Sequence, residues 1–229
     1  MRNYLLAAVA AAALTSPALA RDKSTYVEVD GGVMLVQDTN LDVIRDINRN
    51  ELKTRTTFPR GVSIDHKIGF DVDAIAGYDF GLVRAEAEFG YKRASLKAVD
   101  LTVPFVFSNN PTQPYETSGH VNVLSMMANV LFDFGDQDGW SGFVGGGAGY
   151  ARVKYNINTP STFNSPFHGG FRDSDGSIAY QVLAGIRRSI TPNIDLGLKY
   201  RFFNVDKLRL VDGFNGNRYN GRFRSHSLL

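Results

Sequence analysis

The sequence has no cysteine, no strong excess of one charge, and no long apolar segment after its first twenty residues. Without cysteine the chain forms neither a disulfide nor a thiolate metal site, and it cannot be lipidated on an N-terminal cysteine. A formal net charge of +2 gives no basic field of the kind that nucleic-acid binding requires. A spanning helix needs roughly eighteen or more apolar residues, which excludes a helical membrane protein. The same test does not exclude transmembrane β-strands, because about half of the residues in such strands are polar.

The N-terminus has the three parts of an export signal. Arg2 supplies the positive start, an Ala-rich apolar segment extends from Leu5 to Leu14, and Ala18-Leu19-Ala20 has the A-x-A form of a cleavage site. The apolar segment has about ten residues, half of what a spanning helix needs, so an uncleaved anchor is the weaker alternative. We therefore predict a cleaved signal peptide over residues 1–20 and a single domain over residues 21–229.

A two-residue alternation is the strongest pattern in the rest of the chain. From Ile68 to Phe80 every second residue is apolar or aromatic, and Asp71, Asp73 and Asp79 occupy the other face, as in a β-strand. The same alternation recurs in seven further segments, at 26–36, 83–91, 124–134, 140–155, 178–190, 194–202 and 222–229. Eight is the smallest even number of strands known for transmembrane barrels.

The connections between these segments alternate in length. Short turns near residues 80, 137 and 192 alternate with long polar segments at about 37–65, 101–118, 157–176 and 206–221. Outer-membrane barrels have short periplasmic turns and long extracellular loops. The sequence therefore predicts an all-β fold, an eight-stranded antiparallel up-and-down transmembrane β-barrel with short periplasmic turns and long extracellular loops.

Four segments resemble the N-terminal eight-stranded transmembrane β-barrel domain of the OmpA-like outer-membrane protein family. They are Tyr78-Asp79-Phe80, the segment 86–91 (EAEFGY), the segment 129–134 (NVLFDF) and the segment 179–185 (AYQVLAG). The resemblance covers essentially the whole mature chain and implies a barrel in the outer membrane of a Gram-negative bacterium. In that family the barrel is often attached to a peptidoglycan-binding domain, so peptidoglycan is an expected partner only if a C-terminal periplasmic domain exists.

The last strand departs from the family pattern. About eight residues, Arg222 to Leu229, follow the last polar segment, whereas a crossing strand needs about nine to eleven. Barrels of this kind end several residues later with an outward-facing aromatic residue. We expect either a fragment of a longer protein or an incomplete eighth strand, and we favour the fragment.

Charged residues on the face opposite the lipid form the candidate site. By alternation this lumen charge network contains Asp71, Asp73, Arg84, Glu86, Glu88, Lys92, Asp133, Arg187, Lys199 and Arg201. An eight-stranded barrel is just wide enough for side chains to fill it, and buried charges must be paired. We favour a plugged structural core. The alternative is a narrow gated porin-like channel that opens when charged partners exchange within the network.

Three other motifs give no catalytic, cofactor or metal site. The glycine-rich segment 145–149 fits neither nucleotide-binding motif and lies within a strand, which favours a role in strand curvature. The segment 173–176 (DSDG) lacks the glutamate that completes a calcium loop. The spacing of the four residues considered for a hydrolase site does not indicate one. They are Asp65, His66, Ser118 and His120. We therefore expect no cofactor, no metal site and no enzyme.

The expected function is a structural or envelope-integrity role, with surface interaction through the long loops. Outer-membrane lipid is the expected partner, the loops are candidates for binding extracellular ligands, and nucleic acid is not expected. A soluble exported barrel that binds a small ligand is the third hypothesis, but it requires polar outward faces, which these strands lack. An interfacial aromatic belt fits the strand-end residues Tyr26, Tyr78, Phe80, Phe132, Phe134 and Trp140.

Overall fold

The described part of the chain consists of β-strands and short connections. The computed structural model describes residues 23–49, 52–101, 115–135, 139–191, 194–211 and 217–229, and the predicted signal peptide lies outside these residues. The strands are β1 Ser24–Val36, β2 Thr39–Arg49, β3 Leu52–His66, β4 Gly69–Asp79, β5 Val83–Leu101, β6 Tyr115–Glu116, β7 Ser118–Gly135, β8 Trp140–Asn158, β9 Phe171–Thr191, β10 Ile194–Val211 and β11 Arg218–Leu228. Within the described ranges, no helix combines the length and apolar character needed to cross a membrane.

Eight antiparallel barrel strands close into a ring. The first barrel strand contains β1 and β2, which both pair with β11, and the second contains β3 and β4, which both pair with β5. The ring continues through β5, β7, β8, β9, β10 and β11. It closes where β11 pairs with Val33 to Val36 of β1, and the two-residue β6 adds to the edge of β5. The predicted eight-stranded antiparallel up-and-down barrel is confirmed.

Three short connections join neighbouring strands at one end of the barrel, which we call the turn end. They follow Asp79, Gly135 and Thr191, as predicted, and parts of the second and third lie outside the described residues. In the first, the Oδ1 atom of Asp79 accepts a hydrogen bond from the Gly81 N–H at 2.7 Å. Gly81 has a φ of 106°, a backbone conformation that a side chain disfavours. The turn therefore depends on this aspartate and this glycine.

The strands extend further towards the opposite end, the loop end, than the alternation predicted. The segment 37–65 was predicted as a loop, but β2 and β3 form an antiparallel hairpin there. The predicted loops at 101–118, 157–176 and 206–221 also begin or end within strands β5, β7, β8, β9, β10 and β11. These three predictions are wrong at their boundaries, and their central residues 102–114, 159–170 and 212–216 lie outside the described part of the chain.

The last strand also begins earlier than predicted, at Arg218 rather than Arg222. Its eleven residues are enough for a crossing strand. The pairing with β10 contains a register shift between Val205 and Leu208, and Tyr219 is buried inside the barrel. The count of eight residues was wrong because the outward positions before Arg222 carry the polar residues Arg218 and Asn220, while Tyr219 faces inward, so this part of the strand looks like a loop in the sequence. The expectation that the chain is a fragment stays a prediction.

The barrel has two halves of opposite polarity. Near the turn end, charged and polar side chains fill most of the interior, together with a small apolar cluster of Leu131, Phe143 and Leu183, and an apolar outer band covers the outside. This band extends over residues 27–35, 68–80, 82–89, 124–134, 140–150, 178–190 and 194–200 and ends at Leu228. Near the loop end, the interior holds an apolar plug, whose largest members are Met34, Ile64, Tyr155, Ile157, Phe171, Phe203, Tyr219 and Phe223. The loop-end segments were missed because their apolar residues face inward, the reverse of the pattern in lipid.

Candidate functional site

All ten residues of the predicted lumen charge network point into the barrel. Nine of them are at most 8% exposed, and the side chain of the tenth, Arg187, is 16% exposed. Ion pairs link them to three further carboxylates, those of Glu28, Asp30 and Asp79. The predicted network omitted these three, although they also lie at the alternating strand positions that face the lumen. We call this set of charges the charge lattice.

Arg201 on β10 is the centre of the charge lattice. Its Nη1 atom lies 2.7 Å from Asp73 Oδ2 and 3.1 Å from Asp71 Oδ2, and its Nη2 atom lies 3.2 Å from Glu88 Oε2. Asp71 also accepts hydrogen bonds from Lys92 Nζ at 2.8 Å and from Ser227 Oγ at 2.7 Å. One guanidinium thus joins β10 to β4 and β5 across the lumen.

Arg84 organises a second group nearer the turn end. Its Nε atom donates to Asp133 Oδ2 at 2.6 Å, and its Nη1 atom donates to Tyr26 Oη at 3.2 Å. The Tyr26 hydroxyl donates to Glu86 Oε1 at 2.5 Å. The placement of Tyr26 in the outer aromatic belt was therefore wrong. This residue is 8% exposed and points inward because it shares parity with Glu28.

Two amide side chains meet over a glycine on the inner face of the barrel wall, and we call this contact the amide bridge. Asn129 on β7, Gly147 on β8 and Gln181 on β9 lie side by side in the sheet. Gln181 Nε2 donates to Asn129 Oδ1 at 2.8 Å, and both side chains donate to Glu88 Oε2. A Cβ atom on Gly147 would lie 1.9 Å from Asn129 Oδ1. The glycine-rich segment therefore lets two amides meet, a role that the sequence did not reveal.

The lattice is a network of ion pairs that share partners. Among the described residues, its ion pairs join five cations to eight carboxylates. Lys199 Nζ contacts both Glu28, at 2.5 Å, and Asp30. A cavity of about 120 Å³ at the turn end borders Lys199, Glu28 and Arg84. The arrangement holds strands together across the lumen.

The four residues considered for a hydrolase site do not form one. His66 points into the apolar plug, 6.3 Å from the ring of Tyr155, and neither of its buried ring nitrogens has a hydrogen-bond partner among the described residues. Ser118 Oγ contacts the backbone oxygen of Asn158, at 3.5 Å. His120 lies on the outside of β7.

The segment 173–176 has a structural role within β9. Asp175 Oδ2 accepts a hydrogen bond from the Arg209 N–H at 2.6 Å, and Asp173 Oδ2 accepts one from the Val211 N–H at 2.7 Å. The backbone pairing of β9 with β10 ends at Ala179 and Val205. The two carboxylates therefore continue the connection between these strands towards the loop end. They satisfy backbone donors of β10.

A closed eight-stranded barrel with an apolar outer band and a charged lumen defines an outer-membrane β-barrel protein. The sequence matches the family model described as outer membrane protein beta-barrel domain over residues 6–228, and the chain belongs to this family. The opacity proteins opA67 and opA50 of Neisseria gonorrhoeae are each 23% identical to it. The opA67 alignment extends over 212 residues, 82% of this chain and 81% of opA67.

The solved structure of an outer-membrane protein gives the same fold class. OprG of Pseudomonas aeruginosa superimposes with a TM-score of 0.51 at 10% identity, over 93% of this chain and 99% of OprG. Neisserial surface protein A gives a TM-score of 0.42 at 17% identity, over 87% of this chain and 97% of that chain. The family match and the OprG fold confirm the resemblance to an outer-membrane β-barrel domain. The chain is a barrel protein of the bacterial outer membrane.

Proposed function

We propose that this protein is a non-conducting barrel that stabilises the outer membrane and carries a rigid extracellular platform for surface interaction. The observation that carries the proposal is the filling of the lumen at two levels. The charge lattice occupies the turn end and the apolar plug occupies the loop end. An eight-stranded barrel leaves little interior space beyond its own side chains. A solute would have to separate buried ion pairs and also displace the plug.

The position of the plug argues against the gated channel. Exchange of partners among Glu86, Glu88, Arg187 and Arg201 would rearrange charges only near the turn end. Beyond them, Phe203 and Phe223 pack edge to face with ring centroids 6.4 Å apart, and the rings of Phe171 and Tyr219 are 5.6 Å apart. Such packing resists partial displacement because interiors are dense. Gating within the lattice alone would leave this second barrier in place.

Planar bilayer recordings test the absence of a channel. We expect no discrete conductance steps after insertion of the full chain, with the closed barrel verified by the faster gel migration of unboiled samples. Steps that change in size when Glu86→Gln or Arg201→Gln is introduced would overturn the proposal in favour of the channel. Arg209→Gln is the matched control, because Arg209 is an exposed cation outside the lumen.

The loop-end half supports the platform part of the proposal. β8 continues for eight residues from Tyr150, at the edge of the apolar outer band, to Asn158. At about 3.3 Å per residue and a tilt of about 40°, this extension rises roughly 20 Å above the band. A solid apolar interior makes it rigid, and binding residues are commonly carried on loops held by a rigid scaffold.

Epitope tags test the orientation of this platform. We propose that the loop end is extracellular, so a tag inserted at residues 50–51, between β2 and β3, should bind antibody on intact cells. A tag at residues 136–138, between β7 and β8, should bind only after the outer membrane is opened. The reverse result would invert the barrel and remove the platform from the cell surface.

Dye entry tests the envelope role. We expect cells that lack the gene to admit a hydrophobic fluorescent dye faster than cells that carry it, and expression of the full chain should restore the barrier. Arg201→Gln should restore the barrier less well than the wild-type chain, and gels of unboiled samples should show less of its closed form. Equal dye entry with and without the gene would contradict an envelope role.

A further inference from the structure

A group of basic residues lies on the outside of the barrel, next to the apolar outer band. It consists of Arg93 on β5, His120 on β7, Arg152 and Lys154 on β8, and Arg172 on β9, and we call it the basic patch. Cross-strand register brings its members together. Arg93 and Lys154 flank the same residue of β7, Asn122, and His120 and Arg172 flank the same residue of β8, Asn156. Its four Arg and Lys side chains are exposed.

Among the side chains that the structure describes, no carboxylate forms an ion pair with the cations of this patch. Asp173 and Asp175 on β9 accept hydrogen bonds from backbone N–H groups of β10. On β5 the next outward carboxylate whose side chain the structure describes is Asp100, seven residues beyond Arg93. Partial burial and the positive charges of Arg93, Arg172 and Lys154 lower the pKa of His120. The cations therefore act on one another across the patch.

The opposite side of the barrel has a different charge pattern. Around the bend between β1 and β2, a surface pocket brings three carboxylates together with four cations. Its charged residues are Asp38, Asp42, Arg60, Asp206, Lys207, Arg222 and Arg224. Opposite charges are mixed there, so the excess of positive charge belongs to the side formed by β5, β7, β8 and β9. An anionic partner is expected on that side.

The patch lies at the depth of lipid headgroups. Along β8, Arg152 and Lys154 are the next two outward residues after Tyr150, and along β5, Arg93 is four residues beyond Phe89. Two residues of strand rise about 6.6 Å, or roughly 5 Å along the membrane normal at a tilt of about 40°. These cations therefore lie roughly 5–10 Å beyond the apolar outer band. Long basic side chains at this height extend their charges among the headgroups.

We propose that the basic patch binds the phosphate groups of phosphorylated glycolipids in the outer leaflet. The inference rests on the proposed orientation, which puts the patch at the outer surface. A lipid is favoured over a dissolved anion because the apolar outer band continues directly beneath the patch and contacts acyl chains. Tyr150 and Phe89 supply that contact, while Arg93, Arg152 and Lys154 meet the headgroup. One ligand thus satisfies both surfaces.

A binding measurement in neutral detergent tests the proposal independently of orientation and of conductance. The probe is fluorescent lipid A carrying two phosphates, compared with its dephosphorylated form. The patch variant is Arg93→Gln/Lys154→Gln/Arg172→Gln. The matched control is Lys207→Gln/Arg209→Gln/Arg222→Gln, which removes the same number of positive charges from the other side. Each basic residue near an anionic surface contributes about fivefold in affinity, so the patch variant should bind about a hundredfold more weakly.

The expected pattern has three parts. The control should bind within about threefold of wild type, dephosphorylated lipid should bind wild type as weakly as the patch variant binds the phosphorylated probe, and added salt should reduce wild-type binding. Equal losses in both variants would overturn the proposal, since net charge alone would explain them. It would also fail if a soluble sulfated oligosaccharide bound the patch while lipid A did not. Unboiled gel migration shows that each variant is folded.

Discussion

Arg201→Met is the substitution that most directly examines the charge lattice. The Arg201 side chain is fully buried and makes ion pairs with Asp71, Asp73 and Glu88. After its removal, Asp71 keeps Lys92 and Ser227, and Glu88 keeps the two amides of the bridge. Asp73 loses the ion pair that its Oδ2 atom makes, and its Oδ1 atom has no hydrogen-bond partner among the described residues. The substitution therefore leaves one buried carboxylate uncompensated.

The size of the effect follows from this loss. Removing one partner of a buried ion pair destabilises a protein by about 3–5 kcal/mol, because the remaining charge stays in a poorly solvating interior. The double variant Arg201→Met/Asp73→Asn removes that charge as well and should recover about 2 kcal/mol of the loss. Arg209→Met, at an exposed position, should change the free energy of unfolding by less than about 0.5 kcal/mol.

Urea unfolding in phospholipid vesicles provides the measurement. Fluorescence of Trp140, which lies 60% exposed on the outer band, reports the loss of the membrane environment, and gel migration of unboiled samples reports barrel closure. The prediction is refuted if the free energy of unfolding of Arg201→Met is within about 0.5 kcal/mol of the wild-type value, because substitutions at surface sites have effects of that size. It is also refuted if the double variant is no more stable than the single one, because the penalty would then not come from Asp73.

Three further substitutions have defined outcomes. Gly147→Ala should cost about 3 kcal/mol in the same urea assay and Gly146→Ala much less, because the new Cβ would lie 1.9 Å from Asn129 at the first site but 3.0 Å from its nearest neighbour at the second; equal costs would contradict the amide bridge. Burial lowers the pKa of His66 to about 4, so stability should be full above pH 6.5 and fall by about 3 kcal/mol as the pH drops towards 4, since the unfolded chain is protonated first. His66→Phe should abolish this acid loss, and an unchanged pH profile would assign it elsewhere. Asp175→Ala should accelerate hydrogen exchange at the Arg209 amide, whereas Ser174→Ala should leave it slow.

The lipid-crossing half of the fold could be predicted from sequence because lipid imposes a simple rule there. Every second residue must be apolar on the outside, so segments such as 68–80 and 124–134 show a regular alternation. The loop-end half obeys the opposite rule, with Val43, Val62 and Tyr219 buried inside and water outside. Strands with mixed outward residues, such as β2, then look like loops in the sequence. Their pairing partners, which are distant in the chain, are what make them strands.

The lumen charges could also be placed from sequence, because parity alone decides which charges face inward. The strand position of Tyr26 also indicates an inward side chain, but its aromatic character led to its placement at the membrane surface instead. The partners of each charge could not be predicted. The contact of Arg201 with Asp73, and that of Gln181 with Asn129, depends on the register of strands far apart in the chain. The same limit applies to Asp175, whose acceptor role requires the gap between β9 and β10.

The inverted polarity of the two barrel halves has a consequence for insertions and deletions. Adding or removing one residue within β8 would turn every later side chain of that strand to the opposite face. Near the turn end this would push inward side chains such as Phe143 and Ser141 out of the lumen, and near the loop end it would expose Tyr155 to water and drive Lys154 into the plug. The register of a long strand is therefore constrained twice. In one half the outward side chains must be apolar because they contact lipid, and in the other half they must be polar because they contact water. Changes in length should survive only in the connections between strands.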